Sequence, residues 1–226
     1  AAGSDISIQQ AVSVSSNFAL LARGCVTQTA GGTINSDGLL LGLGGNFDLD
    51  DASNDVSSIE ACNAGAITFR DTNALQVGGV GGFNGVDTNC ANVNLSTVAG
   101  NIVLAEPISA LGAFVTLNAN GNIVSAQAPA TTEISSGLAA LQAGGSIGVV
   151  GSNAVEMLVL ASVSVQSGLG GSVDAVNVIN TSAGLGTFAL DLADANLGFT
   201  AQIKLGNTLS KTAGACQSVS GSTNGS

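Results

Sequence analysis

The sequence predicts an all-β chain wound as a parallel β-solenoid, and three observations carry that prediction. Apolar and small polar residues alternate with period two, a Gly-x-Ile/Val motif recurs along the chain, and large aromatics are scarce, with 7 Phe and no Trp or Tyr in 226 residues. The alternation runs through Ile6-Ser7-Ile8, Val12-Ser13-Val14, Phe47-Asp48-Leu49, Ile67-Thr68-Phe69, Val93-Asn94-Leu95, Val115-Thr116-Leu117 and Val163-Ser164-Val165. Such a pattern buries one face of a strand and wets the other. The runs are three to five residues long and are separated by Gly, Asn, Asp and Ser, which make turns. Helical periodicity is weak even at its best, Ser135 to Leu141, where Gly137 interrupts it.

The motif gives the architecture. It stands at Gly32-Thr33-Ile34, Gly65-Ala66-Ile67, Gly100-Asn101-Ile102, Gly121-Asn122-Ile123, Gly145-Ser146-Ile147 and Gly171-Ser172-Val173. The three steps from Gly100 to Gly171 are short enough to be one solenoid coil each, and the two longer steps from Gly32 to Gly100 suit a coil with a loop or about one and a half coils. Each coil then contributes two or three short strands, glycine makes the corners, and coils stack about 4.8 Å apart with like residues above like. An interior about 10 Å across favours Val, Ile, Leu and Ala, so the Phe residues are expected at corners or ends. The competing β-sandwich would have longer strands and usually a buried Trp or Tyr. The predicted layout is an N-terminal strand-like segment over 1–24, a cap or donor strand, then a solenoid of roughly ten coils over 25–206. A polar tail over 207–226 follows, tied by Cys216.

Composition removes many functions. Without histidine the chain has no imidazole for acid/base work or for the usual zinc sites. With 4 Lys and Arg against 15 Asp and Glu, a net charge of -11, it lacks the basic footprint of a nucleic-acid binder or of docking to anionic lipid. Charged residues are 8% of the chain, so Ser, Thr, Asn and Gly must keep its surface wet. That surface suits a secreted or cell-surface protein. The opening Ala1-Ala2-Gly3-Ser4 reads as the product of signal-peptide cleavage at small residues. No membrane insertion is expected, because the longest apolar stretch, Val149 to Val165, is broken by Gly151, Ser152, Asn153, Glu156 and Ser162.

The segments Ile34 to Leu41, Gly44-Gly45-Asn46-Phe47-Asp48-Leu49, Asn54 to Ile59, Gly65 to Asp71 and Ala74 to Val80 have a recognisable style. It continues through Val93-Asn94-Leu95, Gly100 to Leu104 and Val115 to Ile123. Over roughly residues 25 to 190 the chain resembles the β-strand repeats of filamentous-haemagglutinin-type bacterial adhesins. The resemblance implies a solenoid shaft on a large surface or secreted protein. This chain departs from those relatives in its shortness and in carrying four cysteines, which suggests a repeat block turned into a stapled subunit.

Several constellations offer chemistry. An even number of cysteines in an exported protein reads as two disulfides. Neighbouring coils would join Cys25 to Cys62 and leave Cys90 with Cys216, while a sharper alternative makes Cys216 a bond to the next subunit. Asp48, Asp50, Asp51 and Asp55, with Glu60 beyond, could collect oxygen ligands for calcium. Their spacing matches neither an EF-hand nor the calcium nonapeptide, so a polar turn capping its own backbone is the favoured reading and no metal or cofactor is expected. Gly78-Gly79-Val80-Gly81-Gly82 and Gly168-Leu169-Gly170-Gly171 lack the Lys and Ser/Thr of a phosphate loop and read as corners. Asp71 with Asp87, or Asp191 with Asp194, are the carboxylate pairs a glycosidase would need. The scarcity of cations and sugar-stacking aromatics argues against catalysis. Asn94, Asn180 and Asn224 head glycosylation sequons, and the Thr spacing is too irregular for an ice-binding row.

Solenoid ends expose unpaired backbone groups, and no amphipathic capping helix is evident in this sequence. An end of that kind is satisfied by the opposite end of another copy, a contact that builds an open filament. Ile6, Ile8, Val12 and Val14 lie on one face and could add a strand to a neighbour. The expected function is therefore a non-catalytic structural subunit of an extracellular fibre or sheath, with itself as partner, head to tail. The alternative is an adhesin shaft or glycan-binding module acting as a monomer, with Gly81 to Cys90 as the first candidate for a ligand loop.

Overall fold

A computed structural model describes residues 3–128, 131–149 and 153–168, and beyond them the strands at 173–177, 188–192, 201–205, 209–213 and 219–223. Among the described residues there is no helix, and the chain is a parallel β-solenoid of about 7 turns. Three strand segments per turn stack into three columns.

The first turn holds β1 (Ile6–Ile8), β2 (Val12–Ser13) and β3 (Asn17–Leu21). The second holds β4 (Val26–Gln28) above β1, and β5 (Ile34–Gly42), whose two halves lie above β2 and β3. β6 (Phe47–Leu49) and β7 (Asp55–Ala64) repeat this, and β8 (Ile67–Asp71), β9 (Leu75–Val77) and β10 (Val86–Thr88) form the fourth turn. β11 (Val93–Thr97), β12 (Ile102–Leu104) and β13 (Ile108–Ala119) follow, then β14 (Ile123–Ser125), β15 (Ile134–Ala143) and β16 (Val155–Gln166). β17 (Val173–Asn177) stacks on β16, β19 (Ala201–Leu205) on β17 and β21 (Val219–Thr223) on β19, while β18 (Phe188–Leu192) pairs with β20 (Leu209–Ala213). Every one of these ladders is parallel.

The first column shows why the sequence winds this way. Ile6, Val26, Phe47, Ile67, Val93, Val115, Ala139 and Val163 stand in register, so each step along this row is one turn. Turn length varies along it, and the longest turn runs from Ile67 to Val93. From Val26 onward this row is buried. The alternating partners Thr27, Asp48, Thr68, Asn94 and Thr116 form the outward row beside it. Period two in each strand thus becomes a continuous apolar interior once strands stack in register. Ile6 is 36% exposed, while Ile8 in the same turn is buried.

Several expectations need correction. The expected ten coils exceed the 7 or so that the structure shows. The Gly-x-Ile motif marks more than one corner: Ile102, Ile123 and Ile147 stack in the second column, whereas Ile67 belongs to the first. The longer early intervals between motifs therefore cross between corners. Most strands have the expected three to five residues, but β5, β7, β13, β15 and β16 run to between 9 and 12, because there the chain bends from one column into the next without leaving extended structure. Gly112, at φ 79, takes that bend in β13, a conformation that costs other residues a clash with their own Cβ. The weak helical signal over Ser135 to Leu141 lies inside β15.

Phe47 and Phe69 are 1% and 0% exposed in the first column, not at corners or ends. Their register neighbours are Val26 and Ile67 for Phe47, and Leu49 and Leu95 for Phe69, so each ring spreads over aliphatic residues of the turns on either side. At the following corner Gly144 is close-packed. A Cβ there would overlap the carbonyl oxygen of Asn120 in the turn below. Ile6, Ile8 and Val12 are built into the first turn through Val26, Gln28 and Ile34. Val14 follows β2 and its N–H donates to the Asn35 carbonyl.

Candidate functional site

A solenoid interior is dry, so each polar group in it needs a partner. At the corner between the first and second columns three polar residues follow one another up the axis: Asn54, Asp71 and Thr97. Asn54, 0% exposed, accepts from Ile34 N at 2.9 Å and from Gln28 Nε2 at 2.7 Å. Its Nδ2 donates to the carbonyls of Leu49 and Arg70, both at 3.1 Å. Asp71, also 0% exposed, accepts from Val56 N at 2.7 Å and Asn73 N at 2.8 Å. Thr97 Oγ1 accepts from Asn120 N at 3.2 Å. These side chains close the backbone of one turn against the next.

Glu60 is paired in register with Leu40, and their neighbours Leu39, Leu41, Ile59 and Ala61 fill the interior, so Glu60 lies on the outer side of the third column. It is nevertheless 1% exposed, because the Gly78-to-Gly85 loop folds over it. Gly79 N and Val80 N donate to Oε1 at 2.7 and 3.0 Å, and Gly81 N and Phe83 N to Oε2 at 2.8 and 3.3 Å. Successive N–H groups around a carboxylate make a nest, which satisfies both of its buried oxygens. Asn17 Nδ2 donates to Val80 O and fastens the same loop from the first turn. Glu133, 1% exposed, accepts from Ser125 Oγ and from Glu156 N.

Burial raises the Asp71 carboxyl to about 6 from 3.8, outweighing its two backbone N–H donors, and raises Glu133 in the same way. The folded chain therefore holds these protons more tightly than the unfolded chain does. Their contribution to stability is complete below the unfolded pKa near 4 and is lost as pH rises through about 6. Relief of repulsion in a chain of net charge -11 acts in the same direction. Thermal unfolding is expected at a higher temperature at pH 5 than at pH 7, with Asp71→Asn flattening the slope between pH 4 and 6. Melts between pH 4 and 7 check it, and a midpoint that climbs toward pH 7 contradicts it.

An open polar groove lies on the surface at the end of the first column. It has a volume of about 320 Å³ and is lined by Asn118, Asn120, Gln142, Gly144, Gln166, Ser167 and Gly168 over Ala119 and Ala143. Asn118, Gln142 and Gln166 are register partners on β13, β15 and β16, so their amides form a row along the axis. The row begins two turns lower at Arg70 and Ser96. Elsewhere the chain commits asparagine amides to its own backbone: Asn46 accepts from Ala66 N, Asn92 from Phe114 N, Asn101 from Asn122 N and Asn122 from Ser146 N. The three groove amides make no such bond among the described residues.

The sequence-predicted residues lie elsewhere. Asp48 stands in the outward row of the first column between Thr27 and Thr68. Asp51 Oδ1 caps Ser53 N at 2.9 Å, and Asp55 accepts from Asn73 Nδ2 at 3.2 Å. Asp50 is exposed in the intervening turn. No three acidic or cysteine side chains gather around a point among the described residues. Asp71 is an interior cap while Asp87 is exposed on the third column, so they do not face each other as a catalytic pair. Asp191 falls in β18 with its side chain undescribed, and Asp194 lies outside the described residues.

Among the described residues Cys25, Cys62 and Cys90 form no disulfide with one another. The pairing of Cys25 with Cys62 assumed neighbouring coils, but Leu21, Gly42 and Cys62 stack on three successive turns, so Cys62 lies two turns above the segment leading to Cys25. Cys216, and with it the Cys90 pairing, lies outside the described residues. The loop at Gly81 is bound down over Glu60 at its start, although Phe83 is 43% exposed. Sequence reasoning passed over the groove because Asn118, Gln142 and Gln166 are each a full turn apart in the chain and meet only through register. Comparison with family models, with curated proteins and with solved structures finds no match to this chain.

Proposed function

We propose that this chain is a non-catalytic structural subunit of an extracellular fibre or sheath that assembles end to end through solenoid edges. The observation that carries the reading is the edge of the first turn. β1 pairs only with β4, and β2 and β3 only with β5, among the described residues, so their other edge offers parallel-strand donors and acceptors. A second copy docking there would repeat the contact that joins every turn to the next, with Ile6, Ile8, Val12 and Val14 at the junction. The weakly charged outward surface, the repeat style resembling filamentous-haemagglutinin-type shafts and the use of the buried carboxylates as caps all favour a rod. Neither a cofactor nor a metal enters this reading.

Electron microscopy across a concentration series tests it. Uniform filaments that lengthen with concentration are the expected result, and shortening under reductant would identify a thiol such as Cys216 as a link between copies. Isolated rods at every concentration, about 35 Å long or more from seven turns at about 4.8 Å, would replace the polymer with a monomeric adhesin shaft.

A further inference from the structure

We propose that the row Asn118, Gln142 and Gln166 is a binding site for an uncharged, extended glycan lying along the solenoid axis. The inference goes beyond fibre assembly, since the groove is on the flank and would work equally in a monomer or a filament.

Four observations support it. The three amides are in register on consecutive parallel strands, so they recur about every 4.8 Å along a straight line. That rise is close to the advance of an extended β-linked polysaccharide per sugar, and one hydroxyl-bearing ring can therefore meet one amide. The amides are uncommitted among the described residues, in contrast to Asn46, Asn54, Asn92, Asn101 and Asn122. Each presents a donor pair and an acceptor together, matching sugar hydroxyls, which also both donate and accept. The groove floor is Ala119, Ala143, Gly144 and Gly168, residues too small to hold a chain away from the amides. Strand pairing already aligns the row, so little backbone ordering remains to be done on binding.

The chemistry of the lining also selects the ligand. None of the lining residues is charged, and the chain as a whole carries -11. An acidic polysaccharide or a phosphate ester would find no cation among these lining residues, Arg70 standing two turns below Asn118 in the row, and would meet the repulsive field of the chain as a whole. Without an aromatic ring in the lining there is no stacking platform, so affinity must come from hydrogen bonds to several consecutive sugars. Binding should therefore be modest and dependent on ligand length, levelling off once the ligand spans the three turns.

Calorimetric titration with neutral β-linked di-, tri- and tetrasaccharides of glucose and of N-acetylglucosamine tests the proposal, with trigalacturonate as the anionic comparison. At least one neutral series is expected to bind about tenfold more tightly as a tetrasaccharide than as a disaccharide, with trigalacturonate at least tenfold weaker. Gln142→Ala removes the central amide and is expected to weaken the tetrasaccharide about tenfold or more, and Gln166→Ala to weaken it less. Thr27→Ala, remote from the groove, should leave it unchanged. Circular dichroism establishes that each variant is folded. The proposal is overturned if neither neutral series binds at millimolar concentration, if a folded Gln142→Ala and Gln166→Ala both bind as the parent does, or if trigalacturonate binds as well as the neutral ligands.

Discussion

Asn54→Ala is expected to lower the unfolding free energy by about 3–5 kcal/mol, a large share of the roughly 5–15 kcal/mol typical of a folded domain. One side chain here joins three turns: Gln28 and Ile34 on the second, Leu49 on the third and Arg70 on the fourth. Truncation leaves the Ile34 N–H without its acceptor and the Leu49 and Arg70 carbonyls without this donor, and opens a void beside Ile34 and Leu49, which are 0% exposed. Each stranded group costs about 1–3 kcal/mol. Asn54→Asp keeps the acceptor for Ile34 but sets a carboxylate oxygen against the two carbonyls, so it should not restore stability. Urea unfolding measures both variants. A midpoint within error of the parent for Asn54→Ala would show that neighbouring turns close without it.

The second large effect is expected at Glu60. Its carboxylate is the shared acceptor of four N–H groups from Gly79, Val80, Gly81 and Phe83. Glu60→Ala should release the loop from the flank of the third column. Hydrogen bonds to charged groups contribute about 1.5–3 kcal/mol each, but a freed surface loop regains water, so the global loss should be about 2–4 kcal/mol, smaller than the sum. The sharper readout is hydrogen exchange, in which the amides of Gly79 to Phe83 should lose protection while the interior strands keep theirs. Glu60→Gln turns an amide group toward N–H donors and should reproduce much of the effect. Unchanged protection in Glu60→Ala would mean that the Asn17 bond to Val80 holds the loop without it.

These two residues illustrate how far the sequence could be read. Val93-Asn94-Leu95 and Val115-Thr116-Leu117 declared inward and outward sides by alternation, a property of local backbone geometry, and both sit as expected with their apolar members buried. Asn54 and Glu60 look like ordinary surface residues in sequence. Asn54 is interior because the corner turns it inward onto three turns, and Glu60 because the loop that begins at Gly78 covers it. The amide groove was invisible for the same reason.

The sequence by itself determined an all-β chain, the parallel stacking of short alternating segments and an interior built largely of aliphatic residues. Those follow from period two, recurrent corners and the near absence of aromatics, all of which act over short stretches of chain. The tertiary structure alone decided the number of turns, the placement of Phe47 and Phe69 inside the first column, the separation of Cys25 from Cys62 and the alignment of Asn118, Gln142 and Gln166. Register sets all four. Turn length is not constant, the step from Ile6 to Val26 being shorter than that from Ile67 to Val93, and a slip of a single position between strands moves every later side chain to a different neighbour.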